Sequence, residues 1–347
     1  MTAAIPSSRE VRLKTRPTGL PAPEHFEIVT RPMPTPAADE VLVRNLGFLV
    51  SASIRQMVSE GAENLPGVPF PALRAGDGLL GKAVGEVVTA PVDSGLSAGD
   101  MVQHFVGWRD YAVVPVARCR RLAQPLPEPL GHLGYLGNGG IAYAALSRGA
   151  QIREGDTVFV AGAAGAIGSM AAQIARRFGA ARVIGSTGSR EKAERLVAEL
   201  GYDAAVIRGG DQPFVEQLIE AAPDGVDVVL DNVGGEQLQA AVAVAREHAR
   251  IVVVGTLSGQ LAATGTGRTA PVELDSKRIL SKKLTLRGYS ADDDPDAYVE
   301  WLERFADWLR AGSIRFPHVV IDGLEHATAA LRDATRGRYL GAVIVRP

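Results

Sequence analysis

The chain has 347 residues, a length that predicts two domains at about 150 residues per domain. It is 46% hydrophobic, and its 39 glycines and 21 prolines form no short repeat, which excludes a disordered, collagen-like or coiled-coil protein. Lysine and arginine number 37 against 39 acidic residues, so the basic excess that nucleic-acid binding requires is missing. The single cysteine, Cys119, excludes an internal disulfide and a four-thiolate zinc site. We expect a cytoplasmic protein without a nucleic-acid partner or a membrane-spanning segment.

The two ends of the chain predict short strands. Glycine, proline and other turn residues separate four β-branched runs in the first part, at 41–44, 85–90, 100–105 and 111–115. The last 35 residues return to this pattern, with two short strands around a helix at 323–335. We therefore predict one β-rich domain made of residues 1–130 and 313–347.

Between these ends, strands and helices alternate. Six strands that are apolar throughout are predicted at 158–161, 182–186, 204–207, 227–231, 250–255 and 284–288. Amphipathic helices separate the first five, and a Gly- and Thr-rich linker at 255–269 precedes the sixth. Apolar strands that alternate with helices indicate a parallel sheet covered on both faces. We predict a doubly wound α/β domain over residues 131–312.

The first predicted strand of this domain leads into a glycine-rich turn. Gly162, Gly165 and Gly168 follow the spacing G-x-x-G-x-x-G, which differs from the usual dinucleotide fingerprint G-x-G-x-x-G. A helix follows directly, so its free amides are expected to face a bound pyrophosphate. The alternative is a turn that only lets helix and strand pack closely. The residues predicted to contact the cofactor here are Gly162, Ala164, Gly165, Ala166 and Ile167.

The end of the second strand indicates which dinucleotide binds. An NAD site normally places a carboxylate there, but this chain has Ser186 and Thr187, followed by the cations Arg190 and Lys192. A missing acid and nearby cations favour a 2′-phosphate, so NADP(H) is the predicted cofactor. Ser186 and Thr187 are predicted to contact it. The alternative for the two cations is a solvated helix start beside Glu191.

These motifs resemble the zinc-free branch of the medium-chain dehydrogenase/reductase superfamily, which contains prostaglandin and leukotriene reductases, plant alkenal double-bond reductases and curcumin reductase. The resemblance rests on Ala142-Tyr143, on the glycine turn, and on the segments 188–192, 231–235 and 341–345. It implies a Rossmann domain inserted in a GroES-like β-rich catalytic domain. It also implies NADPH-dependent hydride transfer, without a metal, to the activated double bond of an α,β-unsaturated carbonyl compound.

The resemblance also implies roles for single residues. Lys192 would bind the 2′-phosphate, with Arg208 at the position of a tyrosine that also contacts it. Asn232 would lie beside the nicotinamide half of the cofactor, with Gly255 and Thr256 as further cofactor contacts. Gly81 and Lys82 stand where zinc-dependent members have metal ligands, and the six histidines show no ligand spacing. No metal is therefore predicted.

The substrate side departs from the family pattern. Relatives have Val-Asp-Pro-Tyr-Met-Arg where this chain has Val50-Ser-Ala-Ser-Ile-Arg55, and a second tyrosine is missing from 256–261. Tyr339 and Ala342 replace a usual Asn and Lys. Tyr143 and Ser53 are the predicted catalytic donors, with Tyr143 as core packing and donation by the cofactor ribose or water as the alternatives. The predicted pocket residues are Ser51, Arg55, Trp108 and Tyr289.

Three functions remain open from the sequence. The first is an enone or enal reductase, and the second is a quinone reductase or a pathway reductase acting on an iminium or polyketide intermediate. The third is an NADPH-binding protein without turnover. The apolar strand at 284–288 would lie at the sheet edge, which predicts a homodimer through that edge.

Overall fold

The structure is a computed structural model that describes residues 7–64, 71–122, 124–263, 267, 269–290 and 293–347. Its strands in chain order are β1 Ser7–Leu13, β2 Phe26–Pro32, β3 Glu40–Val50, β4 Ala83–Thr89, β5 Met101–His104, β6 Tyr111–Pro115, β7 Arg120–Arg121, β8 Thr157–Val160, β9 Arg182–Thr187, β10 Ala204–Ile207, β11 Val226–Asp231, β12 Ala245–Val253, β13 Thr285–Gly288, β14 His318–Asp322 and β15 Ala342–Arg346. The α-helices are α1 Ile54–Val58, α2 Gly139–Ala144, α3 Gly168–Arg177, α4 Arg190–Glu199, α5 Phe214–Ala221, α6 Gly235–Val244, α7 Leu257–Gln260, α8 Ser276–Ser281, α9 Pro295–Arg310 and α10 Ala327–Thr335.

The middle of the chain forms a six-stranded parallel sheet in the order β10-β9-β8-β11-β12-β13. Val158 of β8 pairs with Val183 on one side and with Val228 on the other. Most residues of the central strands are apolar and buried because helices lie on both faces of the sheet. The predicted doubly wound Rossmann fold is confirmed.

The terminal parts of the chain build a second sheet in the order β14-β15-β3-β4-β5-β7, with β6 also pairing with β3. Its C-terminal strand β15 lies antiparallel to β3, so the end of the chain returns to the domain that the beginning built. Phe48, Met57 and Trp108 fill the core on one face of this sheet. The predicted insertion of a Rossmann fold into a β-rich domain is therefore confirmed, while the exact boundaries at 130 and 313 stay predictions.

Several elements differ from the sequence prediction. The hairpin of β1 and β2 and the short helices α1, α2, α7 and α8 were not predicted. Strand β12 begins at Ala245, five residues before the predicted start, and His248 in it has a left-handed φ of 63°. The predicted Gly- and Thr-rich linker contains α7, and its residues 264–266 and 268 lie outside the described ranges.

Helix α9 connects the two domains. Its apolar side stacks Trp301 on Phe305, with ring centroids 4.8 Å apart, against the start of α2. The hydroxyl of Tyr298 donates to Gln103 of β5 at 3.0 Å, so the same helix also contacts the β-rich sheet. Among the helices of the described ranges, none has the length and apolarity that crossing a bilayer requires.

Candidate active site

The glycine turn after β8 presents unused amide groups. Within the described part of the chain, the amides of Ala164, Ala166 and Ile167 donate no hydrogen bond, whereas the Gly165 amide donates to Gly162 at 3.1 Å. The turn ends at the N-terminus of α3, where the helix dipole favours negative charge. The arrangement therefore fits a pyrophosphate, as predicted from the motif.

Two glycines make this turn possible. Gly162 has a left-handed φ of 70°, which favours glycine. A Cβ atom on Gly168 would lie 2.5 Å from the Gly162 carbonyl oxygen and from the Cα atom of Ala163. The third glycine of the motif is thus required by the close contact between the helix and the turn.

The side chain of Ser186 supports the glycine turn. Its hydroxyl accepts from the Gly162 amide at 2.8 Å and donates to Gln237 at 2.6 Å, and the residue is fully buried. The prediction that Ser186 contacts the cofactor is corrected, because its hydroxyl is used inside the protein. Ser186 positions the backbone that would bind the cofactor.

Strand β9 ends in Ser186 and Thr187 without an acidic residue, and cations lie close to this end. The guanidinium of exposed Arg208 lies beside Gly188, with its Nη2 atom 3.4 Å from the position of a Cβ there. The Arg208 amide donates to the Thr187 carbonyl at 2.8 Å, which fixes the start of that side chain. Lys192 donates to the carbonyls of Gly337 and Tyr339 in the β-rich domain, and burial lowers its pKa. These cations fit a 2′-phosphate, with Lys192 shared between that site and the neighbouring domain.

Asn232 lies where the strand order reverses between β8 and β11, the point at which doubly wound folds bind ligands. Its Nδ2 atom donates to the Ala161 carbonyl at 2.9 Å, and its buried Oδ1 atom has no hydrogen-bond partner among the described residues. A Cβ on Gly255 would lie 2.9 Å from the Asn232 carbonyl oxygen, so the next loop packs closely here. Exposed Thr256 follows Gly255. Asn232, Gly255 and Thr256 together form a cofactor corner, which fits the nicotinamide end of a dinucleotide.

Two serine hydroxyls form a pair at the end of β3. Ser53 Oγ donates to Ser51 Oγ at 2.9 Å, and the Ser53 amide also donates to Ser51 Oγ at 3.3 Å. Both residues are half-buried. Because Ser51 accepts twice, its own hydroxyl hydrogen remains available, and no acceptor for it lies among the described residues.

Arg55 lies in α1, two residues after this pair, and only 1% of its surface is exposed. Its Nη1 atom donates to the carbonyls of Gln260 and Ala262, at 2.5 and 2.7 Å, in the loop that follows β12 of the other domain. The prediction that Arg55 lines the pocket is corrected, because its guanidinium is committed to these carbonyls.

Tyr143 is not presented to the cleft. It is 1% exposed and packs against Phe178 and Trp301, at ring-centroid distances of 5.4 and 5.8 Å. Burial, together with the carboxylate of Glu300 beside its hydroxyl, raises the pKa of Tyr143 to about 12. The catalytic prediction for Tyr143 is corrected in favour of its alternative, core packing.

Two aromatic side chains predicted to line the pocket are also used for packing. Trp108 is fully buried and lies 4.9 Å from Phe48 in the core of the β-rich domain. Tyr289 packs on Gly149, and its hydroxyl donates to Asp294 at 3.3 Å. Trp108 is therefore corrected from a pocket wall to a packing residue, whereas half-buried Tyr289 stays a predicted pocket residue.

The described ranges contain no group of three or more His, Cys, Asp or Glu side chains that is suited to hold a metal ion. Lys82, at the position where the resemblance places a zinc ligand, is half-buried with its Nζ atom 3.4 Å from the Gly137 carbonyl. An ammonium group repels a cation, so this position does not fit a metal. The prediction of a metal-free reaction is left for direct measurement.

Sequence reasoning missed the residues that support the site. Gln237 braces Ser186, Gln260 and Ala262 receive Arg55, and the Gly341 amide donates to the Ala164 carbonyl at 2.9 Å. Each of these contacts joins segments far apart in the chain, and no local pattern marks them.

Two family models match the chain. One, described as "Zinc-binding dehydrogenase", matches residues 166–307, and the other, "N-terminal domain of oxidoreductase", matches residues 9–122. The first covers most of the parallel sheet, and the second covers the β-rich part.

The similar proteins cover nearly the whole chain. The chain is 30% identical to the NADPH-dependent curcumin reductase of Escherichia coli, over 96% of this chain and 95% of that protein. It is 29% identical to the NADP-dependent 2-alkenal reductase of Nicotiana tabacum, over 98% and 97%. The crystal structure of CurA from Vibrio vulnificus in complex with NADPH superposes with a TM-score of 0.85 at 29% identity, over 97% and 98%. The chain therefore belongs to the medium-chain dehydrogenase/reductase family, in the zinc-free branch of these NADP-dependent reductases.

Proposed function

We propose that this protein is an NADPH-dependent reductase that transfers a hydride to the activated double bond of an α,β-unsaturated carbonyl compound. The observation that supports it most is the combination at the ends of β8 and β9. Three unused amides stand at a helix N-terminus, and a free arginine lies at the strand end that lacks an acid. The similarity to curcumin and alkenal reductases supports the substrate class.

The protein's contribution to the reaction is binding and polarisation. When bound, NADPH supplies the hydride that reduces the β carbon of the acceptor. The Ala164, Ala166 and Ile167 amides would hold the pyrophosphate, and Arg208 with Lys192 would hold the 2′-phosphate. Negative charge then develops on the carbonyl oxygen of the acceptor, and a hydrogen-bond donor aimed at that oxygen lowers the barrier.

The Ser51–Ser53 pair is our candidate for that donor. Ser53 donates to Ser51, which polarises the Ser51 hydroxyl and leaves its hydrogen free to donate to the acceptor oxygen. The proton that reaches the α carbon afterwards comes from solvent. Serines replace the bulky tyrosine of relatives here, so we expect a wider pocket and a bulkier or more polar acceptor than a simple alkenal.

The test is NADPH consumption, followed by absorbance, with enones, quinones and cyclic imines as acceptors. We expect turnover of enones and loss of at least tenfold in kcat for Ser51→Ala, since one such donor contributes on the order of 1.4 to 4 kcal/mol to the barrier. Ser53→Tyr should raise turnover of small enones relative to bulky ones. Turnover of quinones or imines alone would reject the substrate class, and NADPH binding without turnover of any acceptor would reject catalysis.

We also propose a homodimer through the edge strand β13. Its partner in the sheet is β12 alone, and the preceding helix α8 exposes 79% of Leu280. An open strand edge next to an exposed apolar side chain favours pairing with a second copy. Light scattering at micromolar concentration should give twice the mass of the chain, and Leu286→Pro should reduce it to a monomer. A monomeric wild-type protein would reject the dimer.

We retain as a proposal that the protein works in the cytoplasm without nucleic acid. The single cysteine and the balance of 37 basic against 39 acidic residues support it.

Activity should survive exhaustive chelation, and elemental analysis should find less than about one tenth of a zinc per chain. Stoichiometric zinc would contradict the metal-free mechanism.

A further inference from the structure

We propose that Arg55 is a positioning residue, which holds the loop after β12 against the serine pair and thereby fixes the acceptor relative to the nicotinamide end of the site. Its kinetic consequences rest on the proposed reductase function. The contact itself does not, because it is visible in the fold alone.

The side chain of Arg55 crosses from one domain to the other. It starts in α1 of the β-rich domain and donates to the carbonyls of Gln260 and Ala262, which are separated from it by 205 and 207 positions. Its exposed fraction of 1% shows that the contact lies inside the protein. Charge-assisted bonds in such surroundings are stronger than exposed ones.

The loop also approaches the guanidinium from a second side. Gly267 has a left-handed φ of 70°, and a Cβ atom there would lie 3.0 Å from the Nε atom of Arg55 and 3.2 Å from its Cδ atom. Only a residue without a side chain fits this backbone position without displacing the arginine. Gln260, Ala262 and Gly267 therefore all lie against the side chain of Arg55.

The same loop is tied to the cofactor corner at its other end. The Leu257 amide donates to the Asn232 carbonyl at 3.1 Å, and the Ser258 amide donates to the Val233 carbonyl at 2.9 Å. Helix α7 connects this end to Gln260, whose amide donates to Thr256 at 3.1 Å. A shift at Gln260 must therefore also move Thr256 and strain the contacts to Asn232.

Arginine suits this function better than other side chains. Burial disfavours its charge and lowers its pKa, so the buried position is stable only while the carbonyls accept its hydrogen bonds. Its planar group donates in several fixed directions, whereas a lysine ammonium is a single point with no fixed plane. The contact thus sets one defined distance between α1 and the loop.

The experiment compares Arg55→Met and Arg55→Lys with the control Arg182→Met. Arg182 also donates to a carbonyl, that of Ala221 at 2.9 Å, but within the Rossmann domain. We expect amide hydrogen exchange at 257–262 to rise at least tenfold in Arg55→Met and to stay unchanged in the control. NADPH affinity should change less than threefold, because the phosphate contacts are untouched. With an enone, kcat should fall at least tenfold, and Arg55→Lys should recover part of it.

Gly267→Ala is a second variant, which displaces the arginine without removing it and guards against a fold defect in Arg55→Met. It should raise exchange in the same segment and lower kcat in the same direction. Unchanged exchange at 257–262 in both variants would overturn the proposal, as would equal losses of kcat in the Arg182 control. If the wild-type protein reduced no enone, the proposed function would fail, while hydrogen exchange would still decide whether Arg55 holds the loop.

Discussion

The two ends of the cleft are built in different ways. At the phosphate end, the proposed contacts are backbone amides of one short turn and two nearby cations, and all of them lie within 47 positions of each other, from Gly162 to Arg208. At the acceptor end, the serine pair comes from one domain, and Arg55, which follows it in the chain, contacts a loop of the other domain. The first end depends on local geometry, and the second depends on how two domains pack.

This difference explains which side of the family pattern is kept. A turn that binds through its backbone tolerates few changes, because a Cβ on Gly168 would collide with the backbone. The proposed acceptor end is formed by side chains, and Ser53 lies in the turn between β3 and α1, where a side chain can change without altering a strand.

The largest expected contrast between the two domains is their response to acid. His104 of the β-rich domain is 5% exposed, and burial, with Arg109 nearby, lowers its pKa to about 4. An unfolded histidine titrates near 6.5, so the unfolded state binds more protons between these values and stability is lost as the pH falls from about 6.5 through 4. The full effect is about 3 kcal/mol.

Urea unfolding from pH 7 to 4 measures this loss. His104→Asn keeps an acceptor for the Val106 amide, removes the titration and should flatten the profile, whereas the exposed-histidine control His326→Asn should not. In the Rossmann domain, burial raises the pKa of Asp231. The pH dependence of stability from this group is therefore opposite to that from His104: its contribution to stability is lost as the pH rises through its folded pKa. An unchanged slope in His104→Asn would contradict the assignment.

The next largest effect concerns the turn itself. Gly168→Ala places a Cβ 2.5 Å from backbone atoms of Gly162 and Ala163, so the turn must shift and its amides lose their alignment. We expect NADPH affinity, measured by fluorescence titration, to fall at least a hundredfold, about 2.7 kcal/mol. Gly288→Ala, where a Cβ meets open space, is the control and should bind NADPH normally. Tight binding by Gly168→Ala would show that the amides are not the anchor.

A smaller effect is expected from the cation at the end of β9. Arg208→Ala should weaken NADPH about tenfold and leave NADH unchanged, because only NADPH has the 2′-phosphate. Calorimetric titration with both cofactors measures this. Arg195→Ala removes another arginine of the domain, one that pairs with Glu199, and should leave the ratio of the two affinities as in the wild type. Equal loss for both cofactors in Arg208→Ala would rule out a phosphate contact.

The smallest effect on NADPH affinity concerns the support of the turn. Ser186→Ala removes the acceptor of the Gly162 amide and the partner of Gln237, which should cost about 1 to 3 kcal/mol of unfolding free energy. NADPH affinity should fall only a few-fold, because Ser186 does not touch the ligand. Chemical denaturation measures the loss of stability, and NADPH titration measures the loss of affinity. A large loss of affinity without a loss of stability would restore the direct contact predicted from the sequence.

The sequence by itself determined the alternation of strands and helices, the parallel sheet, the glycine turn and the preference for a 2′-phosphate. Each of these depends on residues close together in the chain, where apolar periodicity and backbone geometry decide the outcome. It placed the start of β12 at residue 250, whereas the strand begins at Ala245 and includes His248 with its left-handed φ of 63°.

Only the tertiary structure decided what the individual side chains do. Tyr143 and Trp108 are next to small residues in sequence in a way that suits either a pocket or a core, and the packing of α2, β3 and α9 assigned them to the core. Arg55 was recognised as a residue of the substrate side, but its partners lie 205 and 207 positions away. The hydrogen-bond partners of a buried side chain come from whichever segment packs on it, and the fold of the whole chain determines which segment that is.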